Sequence, residues 1–158
     1  MRLEFLHPKY WFTWVGLGFM RGLELLPYRA QRWLGGAIGA LLRALPLHFA
    51  RIARRNIDLC LPQLGEQERA SLVDRHFRSL GMALCETANT WWSSDAQVNR
   101  LADVQGLHHL QAALAKGRGA ILLGAHFTTI EISTRILGTV VPLHVVFRPW
   151  KNALLSHI

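Results

Sequence analysis

Gly119-Ala-Ile-Leu-Leu-Gly-Ala-His126-Phe-Thr-Thr-Ile-Glu131 is the stretch of sequence that decides the predicted fold. It begins with a continuous apolar run of strand length, which is typical of a strand covered on both faces in a parallel sheet. Leu143–Phe147 is a second such run, and Thr129–Leu137 between the two has helical periodicity. A strand, a helix and a second strand in this order predict a right-handed βαβ unit and therefore an α/β domain.

His126 and Glu131 are the candidate catalytic residues of this unit. Chemistry in parallel sheets gathers at the carboxyl ends of strands, where His126 lies, and the turn into the helix would bring Glu131 close to it. Glu131 would then orient the imidazole while His126 takes a proton. No serine or cysteine nucleophile elbow is present, so direct transfer is favoured over a covalent intermediate. An alternative stays open, because Thr128-x-x-Glu131 is also a capping-box pattern.

Arg148 and Lys151 follow the second predicted strand and are candidate substrate-binding residues. Pro149 fixes the turn after Arg148, and this pair of cations suits a phosphate or a carboxylate. A solvated turn arginine explains the same pattern equally well. The histidines have no metal-ligand spacing and there is no glycine-rich phosphate-binding fingerprint, so neither a metal nor a cofactor is predicted.

Residues 1–55 carry nearly all of the net positive charge. They hold nine Lys or Arg and two Glu, a net charge of +7, whereas residues 56–158 have a net charge of +1. Two helices are predicted in this region, from Trp11 to Leu26 and from Tyr28 to Leu45, and each stops at a proline. Their uncharged runs are shorter than the ~18–20 residues that span a bilayer, so we predict that they lie at the interface or insert shallowly.

Three features of this basic region favour a membrane surface. Amphipathic tryptophan rings settle at the headgroup level, and the region contains Trp11, Trp14 and Trp33. The cluster Arg51-x-x-Arg54-Arg55 suits an anionic leaflet. The basic residues lie among Leu, Gly and Trp rather than on a polar face, which argues against nucleic-acid binding. The alternative is that the two helices simply pack on their own domain.

Further helices are predicted over residues 66–92, closed by Trp91-Trp92, and over Leu107–Lys116, stopped by Gly117. Small residues on the second N-terminal helix would let another helix approach closely; these are Gly35, Gly36 and Gly39. Cys60 and Cys85 are predicted to be reduced, buried thiols. The chain is thus divided into a membrane-associating helix pair, residues 1–50, and an α/β part, residues 51–158.

Five blocks of the sequence together resemble the bacterial lipid A biosynthesis lauroyl acyltransferase family, which comprises the late, secondary lipid A acyltransferases. In chain order they are His7-Pro-Lys-Tyr-Trp11, Arg54-Arg55-Asn56-Ile-Asp-Leu-Cys-Leu-Pro62, Gly106-Leu-x-x-Leu-x-x-Ala-Leu-Ala-Lys-Gly-Arg-Gly119, Ala125-His-Phe-Thr-Thr-Ile-Glu131 and Phe147-Arg-Pro-x-Lys-Asn152. The fourth block matches the His-x4-Asp/Glu motif of that family in its glutamate form. Their co-occurrence in order is far more specific than the His/Glu pair alone.

The resemblance implies transfer of a fatty acyl chain from acyl carrier protein to a hydroxyl on a 3-hydroxyacyl chain of the lipid A precursor. It implies that His126 is the general base, that Glu131 is its partner, and that Arg148 contacts the acceptor or the donor. It also implies a location at the cytoplasmic face of the bacterial inner membrane. Members of that family continue for about as many residues again, so we expect this chain to be an N-terminal half, either a fragment or a truncated product.

Two alternative functions remain open from the sequence. One is a glycerolipid acyltransferase with a similar His-x4-Asp motif, against which the glutamate at position 131 and the Arg-Arg-Asn and Arg-Pro blocks argue. The other is a non-catalytic membrane-binding fragment, which the shortness of the chain and the capping-box pattern would explain.

Overall fold

The computed structural model describes residues 3–46, 48–146 and 148–157. Two short 3-10 turns, Leu3–Leu6 and Pro8–Tyr10, precede the first α-helix. The α-helices of the described residues are α1 (Trp11–Glu24), α2 (Tyr28–Ala44), α3 (His48–Cys60), α4 (Glu66–Trp92), α5 (Asp95–Val98), α6 (Leu107–Leu114) and α7 (Ile130–Gly138).

The five predicted helices are confirmed as α1, α2, α4, α6 and α7. Helix α4 has the predicted bounds, and the ends of the other four differ from the predicted ends by at most two residues. Helix α3 was not predicted, because the arginines of that stretch were interpreted only as a basic cluster. Its apolar residues Phe49, Ile52 and Leu59 recur at helical spacing before, among and after those arginines, and all three are exposed.

Helix α4 is the centre of the fold, and α2 packs against it through glycines. A Cβ atom at Gly39 would lie 2.7 Å from the carbonyl carbon of Phe77, and one at Gly81 would lie 2.6 Å from the amide nitrogen of Gly39. The two helix backbones are therefore in direct contact. The predicted close approach is confirmed for Gly35 and Gly39, whereas Gly36 faces open space.

A buried polar pair also joins α2 to α4. The Asn89 amide donates to Gln31 Oε1 at 2.7 Å, and the Gln31 amide donates to Asn89 Oδ1 at 3.3 Å. The Gln31 amide also donates to the carbonyl of Leu26 at 3.0 Å, and Ser93 Oγ donates to Glu24 Oε1 at 3.0 Å. These bonds satisfy polar groups that burial would otherwise leave unpaired, and they fix the α1–α2 turn against α4.

The start and the end of the described chain pack together. Leu154 is buried in one cluster with Phe5, Tyr10 and Leu17, beside Trp91 and Trp92 of α4. The Asn152 amide donates to Thr13 Oγ1 at 2.8 Å. The segment that follows Arg148 is therefore anchored on α1.

The two cysteines differ in their surroundings. Cys85 is fully buried on α4, and burial raises the pKa of its thiol, with a further contribution from the neighbouring Glu86 carboxylate. Cys60 is exposed at the end of α3, so the prediction that both thiols are buried is wrong for Cys60. The end of a helix whose apolar side chains are themselves exposed offers this thiol little cover.

The predicted strands do not form in the part of the chain that the structure describes. Residues 119–127 and 142–146 have no regular secondary structure and no strand pairing. The side chains of Leu123 and Val146 are fully exposed, at 100% and 102%. A strand is stabilised by backbone partners and by covered faces, and neither segment finds these among the described residues. The predicted α/β sheet is therefore not observed there; Phe147 lies outside the described residues.

Helix α1 is covered on one side only. Leu17 and Leu23 are buried, whereas Trp11, Phe12 and Val15 are exposed, Phe12 at 90%. No helix of the described residues is by itself long and apolar enough to cross a bilayer. By length and composition, α2 and α3 meet the criteria for a span only jointly, as a pair bent by 92°.

Candidate active site

The His126–Glu131 motif lies where the irregular segment enters α7. The amide of Phe127 donates to the carbonyl of Ala125 at 2.9 Å, and the amide of Ile130 donates to the carbonyl of Phe127 at 3.2 Å. The second bond closes a turn over Thr128 and Thr129. The turn and the helix of the motif are therefore as predicted, whereas the segment before the turn forms no strand among the described residues.

Helix α7 holds Glu131 in place through its buried face. Ile132 and Ile136 pack on Val98 of α5. The Arg135 guanidinium and the Asp95 carboxylate form an ion pair of 2.5 Å next to this contact. Because α5 follows directly on α4, the motif is tied to the central helix of the fold.

His126 and Glu131 line the same cavity, which has a volume of about 650 Å³. The other lining residues come from α4, α7 and the second irregular segment: Thr90, Trp91, Ile130, Thr134, Arg135, Gly138, Leu143 and Val145. The structure therefore brings the two candidate catalytic residues to one wall, which is mostly apolar. A volume of this size is typical of ligand sites, and such a wall suits hydrocarbon.

The capping-box alternative for Glu131 is not formed. The residue that caps α7 is Thr129 rather than Thr128, and its side chain makes no capping hydrogen bond. Within the described ranges, neither Thr128 nor Glu131 has a side-chain hydrogen bond, and none joins Glu131 to His126. The Glu131 carboxylate is exposed, so it is not committed to holding the helix end.

Arg148 and Lys151 lie outside the cavity that holds His126 and Glu131. Both are exposed, and in the part of the chain that the structure describes neither has an ion-pair or hydrogen-bond partner. The anchor at Asn152 places them near α1. Their role in substrate binding stays a prediction.

Sequence reasoning missed Thr90 and Trp91 as lining residues of this cavity. Trp91 was interpreted only as part of the apolar end of α4, and α4 is far from the motif in sequence. No local signal marks these positions, because only the packing of α7 and α5 on α4 brings them to His126. Among residues 3–46, 48–146 and 148–157, no group of three His, Cys, Asp or Glu side chains could hold a metal ion.

The sequence profile of the bacterial lipid A biosynthesis acyltransferase family matches residues 1–158. The chain belongs to this family. The resemblance predicted from the five sequence blocks is therefore confirmed, and the described helices are those of an acyltransferase-family domain. No solved structure matches the chain.

Curated members of the family are similar over almost all of this chain. It is 41% identical over 155 residues to the lipid A biosynthesis palmitoleoyltransferase of Escherichia coli (strain K12), with 98% of this chain and 51% of that protein covered. It is 39% identical over 151 residues to the lipid A biosynthesis lauroyltransferase of the same strain, with 96% and 49% covered. A lipid A biosynthesis acyltransferase of Haemophilus influenzae is 40% identical over 155 residues, with 97% and 49% covered. The chain thus spans about half the length of these relatives.

Proposed function

We propose that the protein acts in lipid A biosynthesis by transferring a fatty acyl chain from acyl carrier protein to a hydroxyl on a 3-hydroxyacyl chain of the lipid A precursor. Family membership supports the reaction class, because the similar proteins are named lauroyl- and palmitoleoyltransferases. The observation that carries the proposal is the shared position of His126 and Glu131 on the wall of a mostly apolar cavity.

In the proposed reaction, the acceptor hydroxyl oxygen attacks the thioester carbonyl carbon of the donor while His126 accepts the hydroxyl proton. The carbon–sulfur bond then breaks, the ester is left on the acceptor, and the proton passes from His126 to the departing thiolate. Glu131 orients the imidazole and stabilises its protonated form. General-base assistance of this kind is worth ~10²–10⁴-fold in rate, because an alcohol is hardly ionised at neutral pH.

The apolar wall of the cavity is proposed to hold the acyl chain. Trp91 and Ile130 face the cavity next to His126, and Leu143 and Val145 extend the apolar wall. Hydrocarbon placed there would bring its thioester to the histidine. Arg148 and Lys151 are proposed to bind an anionic group of the donor or acceptor, since both are exposed cations with free donors.

The proposed place of action is the cytoplasmic face of the inner membrane. Support comes from the exposed apolar side of α1 and from α3, where Phe49 and Ile52 lie beside Arg51 and Arg55. Such a helix places apolar side chains in the acyl boundary and arginines among anionic headgroups, at about 1 kcal/mol per charge. The same positive charge would attract the acidic carrier protein.

The segments at residues 119–125 and 143–146, which are unpaired among the described residues, are proposed to form strands of an α/β sheet in a chain as long as the relatives. The relatives are about twice as long as this chain and could supply the missing backbone partners. The fully exposed side chain of Leu123 supports this, because apolar runs of this length are rarely left in water.

Substituting the histidine tests the proposed reaction. In the full-length protein, His126→Ala should lower kcat for acyl transfer by ~10²-fold or more, because the general base is lost. Glu131→Gln should lower kcat less, since it removes only the orienting charge. Transfer is measured with carrier protein loaded with a radiolabelled acyl chain and a purified lipid A precursor.

The matched control is His108→Ala, an exposed histidine on α6 that lines none of the cavities described for this chain. Its turnover should equal that of the unaltered protein, and all three variants should sediment with membranes to the same extent. Unchanged turnover in His126→Ala would exclude the proposed role of this residue. A full-length protein that binds membranes but transfers no acyl chain would instead favour the non-catalytic alternative.

A further inference from the structure

A second cavity, of about 600 Å³, lies between α2 and α4. The motif turn contributes to both cavities, because Thr128 and Thr129 line this one whereas His126 and Ile130 line the other. The second cavity is therefore next to the proposed catalytic residues, but it contains neither of them. The polar side chains that matter here are Arg32, Arg78, Ser79, Glu86, Thr128 and Thr129.

Arg32 and Arg78 supply two positive charges to this cavity. Neither guanidinium has an ion-pair or hydrogen-bond partner among the residues that the structure describes. Other arginines of the same region are paired with carboxylates, namely Arg43 with Asp74, Arg54 with Glu66 and Arg69 with Asp58. Two guanidiniums that face one cavity repel each other, so an anion between them would be stabilised by both.

The glycine contact fixes where these two arginines lie. Arg32 precedes Gly35 by three residues on α2, and Arg78 precedes Gly81 by three residues on α4. The two helices run antiparallel, because Gly35 meets Gly81 whereas Gly39 meets Arg78. The two arginines therefore start from opposite ends of this rigid contact, and both line the same cavity. Rigid placement of the donors lowers the entropy lost when they bind a ligand.

Glu86 is the carboxylate that lines this cavity, and its environment disfavours the charged form. It is half-buried, and its Oε2 atom is buried without a hydrogen-bond partner in the described part of the chain. Burial raises the pKa of this carboxyl above its ordinary value. The hydroxyls of Ser79, Thr128 and Thr129 are hydrogen-bond donors, so the cavity offers neutral donors beside the two guanidiniums.

We propose that this cavity binds a phosphate monoester on the headgroup of the acceptor lipid, with Arg32 and Arg78 as its cationic ligands. A phosphate monoester carries about −1.5 to −2 charges at neutral pH, which two guanidiniums match. Thr128 and Thr129 lie between His126 and Glu131 in the chain, so a headgroup bound here leaves the attached hydroxyacyl chain beside the catalytic cavity. The proposal rests on the proposed acyl transfer and adds to it a subsite for the acceptor.

Kinetics with two acceptors test this subsite in the full-length protein. Arg32→Gln and Arg78→Gln should each raise KM for the phosphorylated acceptor roughly 10-fold, while kcat at saturating acceptor changes by less than about 2-fold, because the lost bonds bind substrate rather than assist chemistry. With the enzymatically dephosphorylated acceptor, KM should already be high and the variants should raise it no further. Arg32→Lys should bind the phosphorylated acceptor more tightly than Arg32→Gln does, since lysine keeps the positive charge but lacks the two parallel N–H donors of a guanidinium.

The matched controls are Arg29→Gln on α2 and Arg75→Gln on α4, two arginines that do not line this cavity. Both should keep the KM of the unaltered protein. The proposal is overturned if dephosphorylation of the acceptor leaves KM unchanged, or if the Arg32 and Arg78 variants raise KM equally for both acceptors. A rise of the same size in the control variants would also overturn it, because it would reflect surface charge alone.

Two further experiments are needed. The first distinguishes free phosphate from lipid phosphate as the ligand, and the second distinguishes the subsite proposal from the acyl-transfer proposal. If inorganic phosphate competes with the acceptor in the unaltered protein but not in Arg32→Gln, the cavity binds the phosphate group by itself. If inorganic phosphate does not compete while KM still depends on the acceptor phosphate, the cavity binds that group only as part of the lipid. The binding of phosphorylated acceptor in detergent micelles can be measured with the His126→Ala protein, because binding does not require catalysis. If that binding is lost in the His126→Ala/Arg32→Gln protein, the subsite stands even where the proposed catalysis fails; if it is kept, the subsite is wrong.

Discussion

The α2–α4 contact and the segment of residues 119–127 differ in how their backbone hydrogen bonds are satisfied. In the helix pair each backbone closes its hydrogen bonds within its own helix, and Gly39 and Gly81 bring the two backbones into contact. Residues 119–127 are just as apolar, but Leu123 is fully exposed and the segment has no pairing among the described residues. The difference shows that a helix needs only a covering face, whereas a strand also needs a backbone partner.

The largest effect is expected at the glycine contact. Gly39→Ala should lower the free energy of unfolding by about 3 kcal/mol or more, because the new methyl group meets the Phe77 backbone, which cannot move aside as a side chain would. Chemical denaturation of the purified protein, followed by circular dichroism, measures this.

Gly36→Ala is the control for that substitution, since the same helix faces open space at Gly36. Alanine there should leave stability unchanged or raise it by up to ~1 kcal/mol, because alanine is the better helix former. Equal effects of the two substitutions would mean that α2 and α4 do not touch at Gly39.

A smaller effect is expected at the buried polar pair of the same interface. Asn89→Leu should cost roughly 2 kcal/mol, because it leaves the Gln31 amide, which is only 3% exposed, with fewer partners. Gln31→Met should cost a similar amount. The double variant should lose clearly less than the sum of the two, since no orphaned amide remains. A double-mutant cycle by denaturation measures the coupling, and strictly additive losses would contradict the pairing.

The smallest effect is expected in the unpaired segment. In the 158-residue chain, Leu123→Ala should change the free energy of unfolding by no more than about 0.5 kcal/mol, because an exposed side chain loses little on truncation. In a chain extended to the length of the relatives, the proposed sheet would bury this side chain, and the same substitution should cost about 2–5 kcal/mol. A large loss in the 158-residue chain would show that the segment is covered there, and a negligible loss in the extended chain would argue against the sheet.

The helices were predictable because their signals are local. The apolar spacing and the glutamates of α4 placed that helix over residues 66–92, and the prolines after α1 and α2 marked where they stop. The strands were predicted from apolar runs, which are equally local signals. Such runs indicate only that the side chains favour a buried strand. Whether a backbone partner is available depends on residues far away in the chain, and for this reason the strand predicted at residues 119–125 is not observed among the described residues.

Part of the candidate site could likewise be predicted from the local sequence, and part of it could not. His126 and Glu131 could be found from the motif, because six consecutive positions hold both residues and the turn between them. Trp91 could not be connected to them, since it belongs to a helix that ends well before the motif. Arg32 was interpreted only as part of the positive charge of residues 1–55, and Arg78 was not singled out. The packing of α2 on α4 is what places both at one cavity.

The family, five of the helices and the position of the His126–Glu131 motif follow from the amino-acid sequence alone, because each depends on residue types at short spacing. Only the tertiary structure decided that Gly39 rather than Gly36 carries the helix contact, that Glu131 is not a helix cap, and that two arginines of different helices share a cavity. The physical reason is that burial, hydrogen-bond satisfaction and charge neighbours arise between distant residues. The local sequence pattern limits which contacts a residue can make, and tertiary packing determines which of those contacts form.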